Sequence, residues 1–535
     1  MAPREVEVLV LEAIDSGRVT GLHIPIDDED ANKPWKIRPS RKPRPLEITV
    51  PIFGAITIVT GNQIYIEKGE LPPQIINCLI RTAAFQNPEF YKAQAMRLPI
   101  FDKPRIIACA QNFPNHIGLP RGCLDDVLEL LAELGLTHKI LDERSTGEII
   151  RTKFLGTLSK DQKMAVNDLL AHDIGVLSAA TGFGKTVLAA YIIAKRKRNT
   201  LILVHRKQIL EQWIVRLQTF LDIDHLNIGQ IGGGKRKPTN QIDIALIQSL
   251  VRKGKVDDCV ANYGQLVVDE CHHLSAVSFE SVARQCNAKY VLGLTATPVR
   301  KDGQQPIIFM QCGPIRHHVD AKKQAKKRPF SHFFVPRYTE FKLPFSLTEQ
   351  YEHPPIQTVY AELARNSARN EMIFHDVISS LKEGRSPIIL TERKEHVSFF
   401  ADRFSGFSKH IIPLQGGMGK KDHKQVLEEL KSIDEHEERV LIATGRYIGE
   451  GFDDARLDTL FLAMPISWKG TLAQYAGRLH RIHHNKTKVL VYDYIDYQVP
   501  VLQRMSEKRM SGYRALGYEI HSASTAGGNY LLPES

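Results

Sequence analysis

The chain has 535 residues, more than one hydrophobic core can serve, so several domains of roughly 100–200 residues each are expected. With 43% hydrophobic and 24% charged residues it is neither collagen-like nor disordered, and no run approaches the ~18 apolar residues of a membrane span. Net charge is +11, and basic runs at 195–198 (KRKR), 235–237 (KRK), 252–255 (RKGK) and 321–328 (AKKQAKKR) suit a polyanionic partner. A strand-like run at 6–11 opens the chain, and a polar, proline-rich arm follows to about 46. Two β-rich stretches then flank Gly61-Asn62, a hairpin signal. Helical patterns at 73–84 and 87–97, a strand at 105–110 and a helix at 124–134 complete an expected α+β accessory region, 1–150.

From about 155 the pattern changes. Short apolar strands at 175–179, 200–204, 242–246, 265–268 and 290–294 alternate with helical stretches, the signature of βαβ units on a parallel sheet. Residues 316–345 are basic, carry Pro329, Pro336 and Pro344, and read as an irregular connector. The alternation resumes with strands at 387–390, 411–414, 439–443, 459–463 and 488–492. The chain is therefore predicted to be α/β, with one lobe at 151–315, a second at 346–500 and a C-terminal tail at 501–535.

The chemistry concentrates at strand ends. Between a strand at 176–179 and a helix from 187 lie Ala179, Ala180, Thr181, Gly182, Phe183, Gly184, Lys185 and Thr186 (AATGFGKT). Glycines let the backbone turn its N–H groups toward phosphate oxygens, and a helix N-terminus adds its positive dipole end. Lys185 is placed to reach the β/γ-phosphates of ATP, and the Thr186 hydroxyl to ligate Mg²⁺. The strict P-loop pattern asks for glycine at 179, where this chain has alanine. An apolar strand at 266–268 ends in Asp269 and Glu270. Asp269 is placed to hold Mg²⁺ through water, and Glu270 to orient and deprotonate an attacking water. Cys271, His272 and His273 are adjacent on an extended segment and point apart, which disfavours a shared metal. His480, His483 and His484 are a second weak metal candidate on one helix face. Seven cysteines with no C-x-x-C spacing exclude a zinc ribbon and fit a reducing compartment. With no signal-like N-terminus, a soluble, cytoplasmic protein is expected.

The motif set resembles the superfamily 2 DEAD/DEAH-type helicases. DECHH at 269–273 is similar to motif II, LTATP at 294–298 to motif III, ATGRYIGEGFD at 443–453 to motif V and QYAGRLHR at 474–481 to motif VI. The resemblance implies two tandem RecA-like parallel-sheet lobes. It implies an adenine-reading Gln162, nucleotide contacts from Gly451 and Asp453, and a catalytic trio of Gln474, Arg478 and Arg481 reaching across the cleft. It assigns coupling to His273, Thr295 and Thr297. The form AxxGxGKT, with Ala179, is the superfamily 2 variant of the phosphate loop.

The segment LVHRKQILEQW at 203–213 is unlike the PTRELA form of DEAD-box RNA helicases and is similar to XPB-type and UvsW-like DNA helicases. That branch implies DNA-backbone contacts from Arg206, Gln212, Gln248, Ser249, Arg393 and Thr444, with little sequence specificity. His205 and Arg206 stand where the branch has Pro-Thr, and Lys301 where it often has an acid. Trp213 and Trp468 are expected to pack, with base stacking as the alternative. Residues 71–97 loosely resemble the region before the helicase core in bacterial primase-linked defence loci. The expected function is an ATP-dependent DNA helicase or translocase. The competitors are an RNA helicase and an ATP-gated DNA-binding subunit of a nuclease or defence assembly. No nuclease or primase motif is present, so those activities would belong to protein partners.

Overall fold

The computed structural model describes residues 55–521 except 70, 223–227, 272–275, 297–302, 352–353, 417–424, 427, 431, 446, 448–453 and 467–468. The N-terminal arm, His273, Thr297, Gly451, Asp453 and Trp468 lie outside the described residues.

The Gly61-Asn62 hairpin joins strands Ile56–Thr60 and Ile64–Glu67, with Thr60 opposite Ile64. Ile56, Ile58, Ile64 and Ile66 alternate inward, the period-two pattern of a sheet buried on one face. The sheet runs in the order Gln111–Asn112, His116–Leu119, Ile64–Glu67, Ile56–Thr60, His138–Asp142. Helices Pro73–Thr82 and Leu124–Glu133 pack on one another beside it.

Arg121 fastens this accessory region to the next sheet. It is 5% exposed. Its Nη2 donates to the carbonyls of Asn62 (3.0 Å), Ala283 (2.6 Å) and Cys286 (2.5 Å), and its Nη1 to that of Ala288 (3.3 Å). Gly122 beside it admits no side chain, because a Cβ would lie 2.1 Å from the Phe309 carbonyl oxygen.

The first large sheet has eight strands in the order Lys235–Lys237, Ile228–Gly232, Ile242–Leu246, Thr200–Val204, Gln265–Val268, Tyr290–Thr295, Ile174–Ser178, Ile315–His318. All neighbours are parallel except the first pair. Successive residues of one strand enter opposite cores. Ile202, Val204 and Val267 face helices Lys160–Leu170, Lys185–Arg196 and Lys207–Phe220. Leu201, Leu203, Leu266 and Val268 face helices Ala276–Gln285 and Gln305–Cys312. Burial on both faces is why these strands read as unbroken apolar runs.

The second large sheet has seven strands, all parallel, in the order His410–Leu414, Arg439–Thr444, Pro387–Thr391, Thr459–Leu462, Lys488–Ile495, Ser331–Tyr338, Glu519–Ile520. Ile388, Leu390, Leu441 and Ala443 face helix Lys469–Leu479; Ile389, Val440 and Ile442 face helices Ser367–Lys382 and Lys394–Phe404.

Two expected segments take a different form. The connector at 316–345 is not irregular: Ile315–His318 extends the first sheet and Ser331–Tyr338 pairs with Lys488–Ile495 over its whole length. Pro336 falls inside that strand. It is tolerated because the outer neighbour, Glu519–Ile520, pairs only with Phe333 and Phe334, so among the described residues the side facing away from Lys488–Ile495 has no strand partner at 336. The tail at 501–535 begins as helix Pro500–Leu516, whose Arg509 is 2% exposed and clasps Asp493 at 2.8 and 2.9 Å. A buried ion pair in place of an apolar stripe hides that helix from hydropathy. No helix among the described residues is long and apolar enough to cross a membrane.

Replacing Arg121 with Ala leaves three buried carbonyls and the half-buried Asn62 carbonyl without this donor, a cost of about 3 kcal/mol. Arg121→Ala should therefore lower the thermal midpoint and expose the 111–124 region to limited proteolysis. An unchanged midpoint would contradict this docking.

Candidate active site and nucleic-acid interface

The phosphate loop leaves strand Ile174–Ser178 and enters helix Lys185–Arg196. Gly182 (φ 89°) and Gly184 (φ 94°) hold left-handed backbone that a side chain would strain. A Cβ on Gly184 would also lie 2.6 Å from Gln162 Nε2. Ala179 needs no glycine. It is 1% exposed in the core, and its N–H donates to Thr295 O at 2.9 Å, so it prolongs the strand before the turn begins. The helix has no side-chain N-cap, so its first N–H groups face the loop. Lys185 Nζ donates to Ala179 O and pairs with Glu270 Oε1, each at 3.2 Å. Thr186 is half-buried in the first helical turn.

Gln162 ties a neighbouring helix to this loop. Its Oε1 accepts from Ser159 N–H, and Ser159 Oγ accepts from Gln162 N–H. Its Nε2 donates to Phe183 O at 2.8 Å. The residue expected to read adenine thus also grips the phosphate loop.

Strand Gln265–Val268 is wholly buried and delivers Asp269 to the same strand ends. Asp269 Oδ2 accepts from the indole N–H of Trp213 at 2.7 Å, and Oδ1 from Glu270 N–H at 2.9 Å. Burial, reinforced by the Glu270 charge, raises the Asp269 carboxyl to about 6. Trp213, 2% exposed, therefore packs and orients an acid. Glu270 has φ 44°, a left-handed backbone that costs a non-glycine residue about 1 kcal/mol. The kink turns its carboxylate back toward Lys185, and Oε2 accepts weakly from Ala296 N–H at 3.4 Å. Thr295 is buried at the end of strand Tyr290–Thr295, which pairs with the phosphate-loop strand.

The second lobe meets the loop through helix Lys469–Leu479, which carries Gln474 and, in its last turn, Arg478. Gly477 lies against Thr181: a Cβ there would be 2.4 Å from Thr181 Oγ1. A Cβ on Gly182 would be 3.7 Å from the His480 carbonyl oxygen. Lys486, 5% exposed, caps this helix end by donating to Leu479 O (2.8 Å) and Arg481 O (2.9 Å), and burial lowers its pKa to about 8. His480 does not share a face with His483 and His484. It is buried with Nε2 at 2.8 Å from Tyr518 Oη, whereas His483 and His484 lie 3.7 and 3.4 Å from Glu435. Lys486, Tyr518 and the Trp213 indole escaped the sequence reading because their partners are remote in sequence.

The expected nucleic-acid residues other than Gln212 sit at the carboxyl ends of parallel strands, the side where open α/β sheets bind ligands. Arg206 follows Thr200–Val204. Gln248 and Ser249 form the one-turn helix after Ile242–Leu246. Gln248 Nε2 donates to His205 O at 3.0 Å and joins these two loops. Gln212 is exposed on helix Lys207–Phe220. Arg393 follows Pro387–Thr391 and lies 3.3 Å from Glu395. Thr444 ends its strand 7% exposed, its Oγ1 accepting from Gly416 N–H. A Cβ on Gly445 would strike Tyr475 Oη and Glu392 Oε1, so the ends of strands Arg439–Thr444 and Pro387–Thr391 converge there on helix Lys469–Leu479.

Comparison with known proteins finds two matching family models and relatives named as helicases and translocases. The family described as "Type III restriction enzyme, res subunit" matches residues 156–300, and "Helicase conserved C-terminal domain" matches residues 369–483. A protein of Acanthamoeba polyphaga mimivirus named as an ATP-dependent RNA helicase is 25% identical over 383 residues, 69% of each chain. The protein named DNA 3'-5' translocase XPB2, of Sulfurisphaera tokodaii, is 26% identical over 362 residues, 61% of this chain and 78% of that one. Among solved structures, T4 UvsW aligns at 16% identity and TM-score 0.38, over 87% of this chain and 99% of that one.

The site's surroundings also set an acid limit. Burial lowers His332 to about 4, His396 to about 3, and His480 well below its usual value. The unfolded chain takes up these protons below about pH 6.5 and the folded chain does not, so stability falls with pH through that window. Each such histidine contributes about 1.4 kcal/mol per pH unit. Urea midpoints should drop between pH 7 and pH 5, less steeply in His396→Gln. A slope unchanged by that substitution would contradict the assignment.

Proposed function

We propose, from the premise that this chain is a superfamily 2 helicase hydrolysing ATP in a nucleic-acid-dependent way, that it is a motor acting on DNA. The observation that carries the reading is the seating of the phosphate loop, with Thr181 against Gly477, on the helix that bears Gln474 and Arg478. One site is thereby built from two lobes, and the strand ends that build it also carry the expected backbone-contacting residues. The motif Ia form at 203–213, unlike the PTRELA segment, favours DNA over RNA.

The chemistry follows from groups already in place. Lys185 and Glu270 pair at 3.2 Å. A triphosphate on the loop takes Lys185 onto its oxygens and releases Glu270 toward water. The water oxygen attacks the γ-phosphorus, the bond to the β,γ-bridging oxygen breaks, ADP leaves with its electron pair, and Glu270 takes the water proton. Negative charge develops on the equatorial oxygens, where Arg478 and Arg481 supply positive charge from the second lobe. Thr186 and Asp269 fit a Mg²⁺ site: Asp269 is a buried acid whose carboxyl is raised, and a divalent cation would restore its charged form. When bound, Mg²⁺ supplies charge neutralisation on the β- and γ-oxygens. Loss of the γ-phosphate removes the charge that Arg478 and Arg481 meet across the cleft, so each turnover relaxes and re-forms a grip on a nucleic-acid backbone.

Lys185→Ala and Glu270→Gln should each lower ATP turnover by about a hundredfold or more. Hydrolysis should rise with single-stranded or duplex DNA and fall as salt increases, because phosphate contacts release counterions. Turnover surviving either substitution would remove the site assignment, and stronger stimulation by RNA would move the reading to RNA.

A further inference from the structure

The basic run at 321–328 divides its charges. Helix Ala321–Lys326 is capped by Asp320, and Lys322, Lys323, Lys326 and Lys327 are exposed. Lys327 reaches the first lobe, with Nζ 2.7 Å from Asp161, the residue before Gln162. Arg328 turns inward instead. Its Nη1 is 3.3 Å from His332 Nε2, on the first strand of the second lobe's sheet. Its Nη2 is 4.0 Å from where a Cβ on Gly182 would sit. Arg328 thus spans from the second lobe to the phosphate loop.

This guanidinium has no carboxylate partner among the described residues. The groups around it are His332 and His480, both held neutral by burial, the Tyr518 ring, and the cationic Lys486. Burial lowers Arg328 to about 10, so it remains charged near neutral pH. A desolvated cation without a counter-ion is costly, and its position beside Gly182 is where an anion would relieve it. Lys185 and the helix N-terminus approach the loop from the first lobe, whereas Gly182 faces the second lobe through the His480 carbonyl. Charge arriving on that side meets the outer end of a polyphosphate.

We propose that Arg328 is a ligand of the terminal phosphate of ATP, supplied by the segment that joins the two lobes. The inference rests on the ATP-site reading above and adds a third guanidinium to Arg478 and Arg481. It also gives hydrolysis a direct mechanical output. Once the terminal phosphate leaves, the connector loses its hold on the phosphate loop at Arg328, while strand Ile315–His318 and the exposed Lys327–Asp161 pair keep it on the first lobe.

The test measures binding of ADP and of the non-hydrolysable imido analogue of ATP to the full chain by calorimetry, alongside thermal unfolding without nucleotide. Arg328→Ala should weaken the imido analogue about tenfold or more, leave ADP within about twofold, and not lower the nucleotide-free midpoint. Arg328→Lys should recover part of the discrimination. Equal losses for both nucleotides, unchanged affinities, or a lowered midpoint with discrimination intact in Arg328→Lys and Arg328→Gln would overturn the proposal. Lys185→Ala separates the two readings. If it binds the imido analogue as the parent does, the ATP site itself is wrong; if it loses binding while Arg328→Ala does not, only the role of Arg328 falls.

Discussion

Position 477 carries no side chain because Thr181 occupies the space where one would lie, with Oγ1 2.4 Å from a Cβ built there. That contact sets helix Lys469–Leu479 on the phosphate loop, and the rest of the site inherits its geometry from it. Arg478 follows Gly477 directly, and Lys486 holds the carbonyls of Leu479 and Arg481 so that the chain leaves the helix in one direction. On the other side of the contact, Gly182 and Gly184 take a backbone only glycine holds cheaply, and Gln162 pins Phe183. Two rigid sheets, each buried on both faces, bring these loops together at their strand ends.

At the seam Lys185 pairs with Glu270, Asp269 accepts from the Trp213 indole N–H and the Glu270 N–H, and Arg328 lies against His332, with no carboxylate partner among the described residues. The left-handed backbone of Glu270 accompanies the pairing of its carboxylate with Lys185.

Much of this was legible in the residues. The inner strands of both lobes are apolar throughout because both faces are buried, so Thr200–Val204 and Arg439–Thr444 stood out. Ile228–Gly232 did not. Its Gly229 exists because a Cβ would strike the Asp243 carboxylate, and two glycines in five residues erase a strand signal. Ile315–His318 is a polar edge, and Ser331–Tyr338 contains a proline, so both passed for connector. Within the site, the phosphate loop and the acid pair were readable because their chemistry is local in sequence. The Trp213–Asp269 bond, the Thr181–Gly477 contact and the Lys486 cap join residues far apart in the chain, and spacing carries no trace of them. Ser159-x-x-Gln162 was the exception, a capping-box spacing that announces how Gln162 is held.

The account stands on one loop and one helix sharing a surface, and a paired substitution addresses that directly. Steady-state ATP hydrolysis with saturating DNA would be compared for Gly477→Ala, Thr181→Gly and the two together. The clash predicts that Gly477→Ala loses most turnover, and that Thr181→Gly in the same chain restores a substantial part by clearing the space. Full activity in Gly477→Ala would contradict the account, and so would a double variant no better than Gly477→Ala alone.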